Sequence, residues 1–328
     1  MSSYSRELEA ALEAVREASL VCRRVQRELA GAALQKEDKS PVTVADFASQ
    51  AIVCRVLAER CSGDPIIGEE TASDLLSEER RPFLDQVVSQ LQEVAPGATR
   101  EAVCGWIDAG LGESAGRFWT LDPIDGTKGF LRGEQYAVSL ALIVDGQIQV
   151  SVLGCPNLSV EAGGSAAGAV FSAVRGEGAW VRALDDMSAP ARGVKVSDVS
   201  EASAIRICES VESGHSAHGR SATIASLLGT TAPAVRLDSQ AKYAVVARGE
   251  ADVYLRLPTR PGYREKIWDH AGGVLVVEEA GGRVTDIEGR ALEFIHGREL
   301  TANRGVVVTN GRLHAAVLDA VARTAEST

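Results

Sequence analysis

Apolar residues near the N-terminus recur at spacings of three, four and seven, and Leu8, Leu12, Val15, Cys22, Val25 and Leu29 form one stripe. That period predicts an amphipathic helix, with Gly31 as its stop. Ser40-Pro41-Val42-Thr43 reads as an extended connection, and Thr43 as the cap of a second helix through Ala45 to about Arg60. Pro65-Ile66-Ile67 predicts a short strand ending at Gly68-Glu69-Glu70. From Thr71 to Gly116 the chain is acidic and weakly periodic, which predicts a surface excursion with one helix near Phe83 to Leu91.

Strand signals then concentrate. Phe118 to Leu121, Ala137 to Val144, Ile148 to Leu153, Ala169 to Val174 and Ala179 to Ala183 are β-branched or apolar runs, broken by Asp145-Gly146 and by Gly176 and Gly178. They predict antiparallel hairpins. Beyond about Lys195 strands and helices alternate: strands at Ala204 to Cys208, Ala234 to Leu237, Ala251 to Leu255 and Gly305 to Val308. Helices are expected near Ser221, from Gln240, from His270 to Ala280 and at the C-terminus. Alternation of this kind predicts an α/β half. The small-residue and proline segment Ser188 to Gly193 marks the boundary, giving an N-terminal α+β part, residues 1–190, and a C-terminal α/β part, residues 191–328.

The 328 residues are 45% hydrophobic and 24% charged, a composition that excludes a disordered or fibrous chain. A formal net charge of -11 disfavours nucleic-acid polymers and anionic membrane surfaces as partners. No apolar run reaches the roughly 20 residues that cross a bilayer. The early acids Glu7 and Glu9 do not suit a signal peptide. Six cysteines without a CxxC pair read as reduced thiols, Cys22 and Cys54 among them as small core residues. The expectation is a soluble, intracellular monomer, in the cytoplasm or, after loss of a presequence, in a chloroplast or mitochondrion.

The most informative stretch is Trp119-Thr120-Leu121-Asp122-Pro123-Ile124-Asp125-Gly126-Thr127. Two carboxylates three residues apart follow an apolar strand, and Pro123 restricts Asp122 to an extended conformation. Gly126 permits a tight turn, and a helix starting near Thr127 would offer free N–H groups to a phosphate. Like charges this close call for cations, and hard divalent ions such as Mg²⁺ prefer oxygen ligands. An acidic turn with a helix cap is the plainer reading. Further acids stand at Glu69-Glu70 after a strand, at Asp46 near a helix start and at Asp269 before an apolar helix. The last two would otherwise be a solvated first-turn residue and a cap.

Four ordered blocks, Lys39-Ser40-Pro41-Val42-Thr43-Val44-Ala45-Asp46, Gly68-Glu69-Glu70, Asp122 to Thr127 and Trp268-Asp269-His270-Ala271-Gly272, resemble the inositol monophosphatase-like superfamily of metal-dependent, lithium-sensitive phosphatases. Within it, Asp125 to Gly133, Val211 to His215, Leu237 to Tyr243 and Tyr254 to Pro258 look like the 3'(2'),5'-bisphosphate nucleotidases, with wording nearest the plant and algal branch. These enzymes hydrolyse 3'-phosphoadenosine 5'-phosphate (PAP) to AMP. The resemblance implies a layered α-β-α-β-α sandwich and activity on PAP and on its sulfated relative PAPS. It implies one Mg²⁺ held by Glu69, Asp122 and the Ile124 carbonyl, a second held by Asp122, Asp125 and Asp269, and a third, weaker ion by Glu69 and water. Asp46 and Thr127 would orient and deprotonate the nucleophilic water, the threonine donating to Asp46, while Glu70 supports Glu69 or a bound water. Gly126 and Thr127 would border the reacting phosphate. Lys242 and Arg256, with Ser239 and His215, would hold the 5'-phosphate.

From the residues alone, Lys242 would be an exposed helix cation and Arg256 the charged end of an edge strand. Trp119 and Trp268 read as packing that fixes the adjacent ligands. Cys208, His215 and His218 lack a fourth ligand for zinc. Gly110, Gly112 and Gly116 miss the dinucleotide spacing, and Asp108-Ala109-Gly110 has no assigned role. Two other functions stand beside the nucleotidase: an inositol polyphosphate 1-phosphatase, sharing the metal blocks, and a non-catalytic PAP-binding sensor.

Overall fold

The computed structural model describes residues 3–32, 43–61, 63–164, 167–211, 218–258, 260 and 262–325. The N-terminal stripe is helix α1, Ser5–Ala32. Its most buried face is set less by the leucines than by Ala10, Ala11, Ala14, Val15, Ala18, Val21, Cys22 and Val25. Small side chains let the helix lie close on its neighbours, and Leu8 and Leu12 pack only at the margin. Helix α2, Val44–Arg60, starts on the expected Thr43 cap, and Asp46 completes a capping box with it. Strand β1, Ile66–Gly68, follows.

The segment after β1 is not the surface excursion expected. It carries helices α3, Arg81–Leu91, and α4, Arg100–Asp108. Leu75, Leu84, Val87, Leu91, Val103 and Ile107 are buried in the core cluster that includes α2. Helix α4 escapes the sequence pattern because it is short and contains Gly105, a poor helix former. Then come β2 (Arg117–Asp125), α5 (Thr127–Leu131), β3 (Ala137–Val144), β4 (Gln147–Ser159), β5 (Ala167–Val174), β6 (Ala179–Ala183) and β7 (Arg192–Val194). The first sheet runs in chain order from β1 to β7. Only β1 and β2 pair in parallel in it. The sheet therefore runs past residue 190, to Val194.

The rest of the chain supplies β8 (Ile207–Glu209), α6 (His218–Leu228), β9 (Val235–Arg236), α7 (Ala241–Ala247), β10 (Val253–Arg256), α8 (Ala271–Glu279), β11 (Arg283–Thr285), β12 (Val306–Thr309) and α9 (His314–Ala325). Residues 202–204 form a 3₁₀ turn, so β8 starts later than the pattern suggests, and β11 was not expected at all. The second sheet has the order β11-β12-β10-β8-β9. Apolar clusters define the layers. One lies between α1, α2 and the first sheet. Another fills the space between the two sheets around α7 and α8, and a third packs the outer face of the second sheet on α6 and α9. The result is the expected α-β-α-β-α sandwich. Helix α8 is apolar or small over Ala271 to Val277 because sheets cover it on both sides. None of the described helices is long and apolar enough to cross a membrane.

Candidate active site

Parallel pairing of β1 with β2 matches Gly68 to Leu121, and that register carried one residue further sets Glu69 beside Asp122. Along β2 the register slips between Asp122, opposite Ser139, and Asp125, opposite Ala137. Three residues on a regular strand would put the two carboxylates on opposite faces. The bulge at Pro123 and Ile124 inserts the extra residue that returns both to one face. That face looks toward α7 and α8, since Ala137, Phe118 and Ile67 pack there. Ile124 points the other way, into the cluster with α1 and α2, and Ser49 of α2 donates to the Pro123 carbonyl at 2.8 Å.

Asp46 is buried, and its Oδ2 accepts from the Thr43 amide at 2.8 Å and the Thr43 hydroxyl at 2.7 Å. It is no solvated first-turn residue. Burial raises its carboxyl to about 6, against the Thr43 bonds that lower it. One turn on, the fully buried Gln50 donates from Nε2 to the carbonyls of Glu70 at 2.7 Å and Ile107 at 2.8 Å. Its Oε1 accepts from the Glu70 amide at 2.9 Å. Gln50 thus holds both backbone groups of Glu70. Gly68 and Gly110 make room for it: a Cβ on them would lie 2.5 Å and 2.6 Å from its side chain. Asp108 accepts from the Ala72 amide at 2.8 Å. The Asp108-Ala109-Gly110 segment is the rigid backing of Glu69 and Glu70.

Gly272 and Gly273 let α8 sit directly on Ser139 and Tyr243, where any Cβ would collide. This close approach brings Asp269 to the β2 carboxylates. Gln240 fastens the junction: its backbone N–H donates to Asp125 Oδ2 at 2.5 Å and its Nε2 to the Trp268 carbonyl at 2.9 Å. Its Oε1 accepts from Ser139 at 3.1 Å and Gly273 at 3.0 Å. Gly126 adopts φ +85°, a left-handed conformation natural to glycine, and a Cβ there would lie 2.8 Å from Ser239 Cβ.

Glu69, Asp122, Asp125 and Asp269 line one cavity of about 290 Å³. Burial, then Glu69, Asp125, Asp269 and Asp46, raise the Asp122 carboxyl well above its ordinary range. Glu69 stands exposed at the mouth. The protein around it, then Glu70, Asp46 and Asp125, raises it to about 8. Burial and Asp46 raise Glu70 to about 8, and burial raises Asp269 to about 7 despite His270. Asp122 Oδ1 is buried without a hydrogen-bond partner. A buried acceptor among crowded carboxylates is what a divalent cation satisfies, so these residues fit such an ion. Among the described residues only Glu265, Asp269 and His270 bring three ligand atoms within 4.8 Å of one another.

The same cavity is walled by Gly126, Thr127, Ser239, Lys242 and Arg256. Lys242 is buried 5.1 Å above the Tyr254 ring, not exposed on a helix, and burial lowers its pKa. Arg256 ends an interior strand, since β10 lies between β12 and β8, and its Nε meets Glu265 at 3.2 Å. His215 lies outside the described residues, as does Lys39 to Val42. One pairing needs correction. The Thr127 hydroxyl donates to the Ile124 carbonyl at 3.3 Å, not to Asp46, because it folds back over the tight turn at Gly126 while Thr43 caps Asp46. Sequence reasoning missed Gln50, Gln240, Glu265 and Arg298. Arg298 lies 4.7 Å from the Trp268 ring centre and donates to the Gly68 carbonyl at 2.6 Å, tying two ligand-bearing segments together. His270 lies inside the quoted block Trp268 to Gly272 and Glu265 three residues before it, the one signal that pointed to either.

The profile of the inositol monophosphatase family matches residues 3–326. The chain belongs to the inositol monophosphatase family. Among its relatives is the 3'(2'),5'-bisphosphate nucleotidase of Emericella nidulans, 43% identical over 97% of this chain and 98% of that protein. The Schizosaccharomyces pombe protein of the same name is 44% identical over 98% and 96%, and that of Oryza sativa 43% over 97% and 94%. Fungal and plant relatives match equally, so no plant or algal branch is singled out. Among solved structures, the inositol monophosphatase of Anabaena superposes with a TM-score of 0.62 at 23% identity, covering 98% of this chain and 97% of its own. The extragenic suppressor protein SuhB of Bartonella henselae gives 0.66 at 22% identity, covering 97% and 98%. These structures share the family's sandwich fold.

Proposed function

We propose that the chain is a phosphomonoesterase that removes the 3'-phosphate of PAP to give AMP, and that it also acts on PAPS. Relatives named 3'(2'),5'-bisphosphate nucleotidase match nearly the whole chain. One observation carries the choice of a bisphosphate. A single cavity holds a carboxylate cluster suited to divalent cations and also two cations, Lys242 and Arg256, suited to a phosphate that does not react.

Mg²⁺ would be held by Glu69, Asp122 and the Ile124 carbonyl, and again by Asp122, Asp125 and Asp269, with a third, weaker ion by Glu69. When bound, such ions neutralise charge on the reacting phosphoryl group and on the attacking and leaving oxygens. Asp46 is the proton acceptor: its Oδ2 is spent on the Thr43 cap, and Oδ1 takes the proton of the attacking water. Water oxygen bonds to phosphorus as the bond to the 3'-oxygen breaks, the electron pair stays on that oxygen and solvent water protonates it, giving AMP and inorganic phosphate. Thr127 orients the water from the first turn of α5, and Gly126 leaves space for the phosphoryl group. Glu70, gripped by Gln50, keeps Glu69 in place. Lys242, Arg256, Ser239 and His215 hold the 5'-phosphate. The enzyme works inside the cell as a soluble monomer, and a reducing interior is in keeping with its six free thiols.

The test is Arg256→Ala on two substrates. PAP should lose about 10- to 100-fold in kcat/KM, the scale of one charge-assisted hydrogen bond, and adenosine 3'-monophosphate far less. Equal losses would reject the cation pair as the second phosphate's site.

A further inference from the structure

A hydrogen-bonded chain of four side chains starts at the cavity wall, where Arg256 and His270 line it. The Tyr243 hydroxyl meets His270 Nδ1 at 2.7 Å, His270 Nε2 meets Glu265 Oε2 at 3.3 Å, and Glu265 meets Arg256 Nε at 3.2 Å and 3.4 Å. Glu265 accepts only, so His270 Nε2–H donates to it, and Nδ1 pairs with the Tyr243 hydroxyl. The other two members adjoin cavity-lining residues: Tyr243 follows Lys242, and Glu265 contacts Arg256 itself.

Glu265 is only 5% exposed, and its backbone is clamped. Its carbonyl accepts from the Leu300 amide at 2.9 Å, the Ile267 amide donates to the Arg298 carbonyl at 3.1 Å, and Lys266 bridges to Glu299. A rigid carboxylate facing the Nε of a long, mobile side chain fixes the plane of its guanidinium. Proximity to Asp269 and His270 makes Glu265 a conceivable cation ligand. However, its carboxylate is engaged by Arg256 and His270.

We infer that Glu265 is a positioning residue that orients Arg256 toward the substrate's second phosphate and, through His270, fixes that phosphate's distance from Asp269; this rests on the bisphosphate reading above. The substrate feature it reads is a second phosphate at a set span from the reacting one. Without it, Arg256 keeps its charge but loses the carboxylate that faces its Nε.

The experiment compares wild type, Glu265→Gln, Glu265→Asp, Arg256→Ala and the Arg256→Ala/Glu265→Gln double variant. Steady-state rates are measured on PAP and adenosine 3'-monophosphate, with calorimetric titration of AMP, which carries the 5'-phosphate. Glu265→Gln should raise KM for PAP about tenfold more than for the monophosphate, with a smaller effect on kcat, and should weaken AMP binding by a similar factor. Glu265→Asp, which keeps the charge but shortens its reach, should show the same selective loss to a lesser degree. On PAP the double variant should be within about twofold of Arg256→Ala alone, because Glu265 acts through Arg256. Equal losses on both substrates, or losses that multiply in the double variant, would overturn the inference and leave Glu265 a general folding residue. Wild type that favours the monophosphate over PAP would remove the bisphosphate reading itself, and this inference with it.

Discussion

Replacing Gln50 with leucine nearly conserves side-chain volume and deletes three buried hydrogen bonds. The Ile107 carbonyl still accepts from the Gly110 amide at 3.0 Å, so it keeps a partner. The Glu70 amide and carbonyl, bonded to Gln50 at 2.9 Å and 2.7 Å, do not. Each buried backbone group left without a partner costs about 1–3 kcal/mol, so Gln50→Leu should destabilise the fold by about 3 kcal/mol. Against an ordinary stability of about 5–15 kcal/mol the protein still folds. Its Glu69-Glu70 corner, however, loses its anchor. The half-saturating Mg²⁺ concentration for PAP hydrolysis should then rise about tenfold or more, because Glu69 must be ordered as the cation binds. Urea unfolding gives the first quantity and phosphate release across a Mg²⁺ series the second. A loss under about 1 kcal/mol together with an unchanged Mg²⁺ requirement would refute the backing role assigned to Gln50.

Three further outcomes follow from particular contacts. Asp46→Asn should keep the Thr43 cap and the fold but lower kcat about 10²- to 10⁴-fold, the usual contribution of a general base; near-normal turnover in a folded variant would rule Asp46 out as proton acceptor. Gly126→Ala places a Cβ on a residue with φ +85° and against Ser239, so thermal unfolding should show a loss of about 1–3 kcal/mol and KM for PAP should rise. An unshifted melting temperature would mean the turn relaxes without strain. His314 is buried between Thr309 and Thr285, and burial, then Arg283, lowers its pKa from 6.5 to about 4. The folded state therefore binds this proton less readily than the unfolded chain: its contribution is intact above pH 6.5 and is lost as pH falls from 6.5 toward 4, by up to about 3 kcal/mol. The pH dependence of urea midpoints in wild type and His314→Gln should differ over that window, and parallel curves would contradict it.

What the sequence discloses is local. Asp122-Pro123-Ile124-Asp125-Gly126-Thr127 announces itself because bulge, turn and carboxylates lie within six consecutive residues, and Thr43 with Asp46 is a cap that sequence spacing defines. The strands of the first sheet other than β7 read clearly because they are β-branched or apolar runs framed by turn residues. Helix α4 and strands β7 and β11 were lost because they are short, and α4 is also held by α2, distant in the chain. For the same reason Gln50, Gln240, Glu265 and Arg298 were silent: each acts on backbone or side chains brought near only by the sandwich. The buried setting of Lys242 is likewise a property of the layer packing, since α7 lies between two sheets. The Thr127 pairing failed because the turn at Gly126 directs that hydroxyl back to Ile124.

The most direct measurement is phosphate release by the purified protein from PAP, inositol 1,4-bisphosphate and inositol 1-phosphate, each with Mg²⁺, with Mg²⁺ plus Li⁺, and with EDTA. A site pairing a carboxylate cage with Lys242 and Arg256 should release phosphate fastest from PAP, only with the divalent cation, and less with Li⁺ present. Faster release from an inositol phosphate, or PAP turnover that survives EDTA, would contradict it.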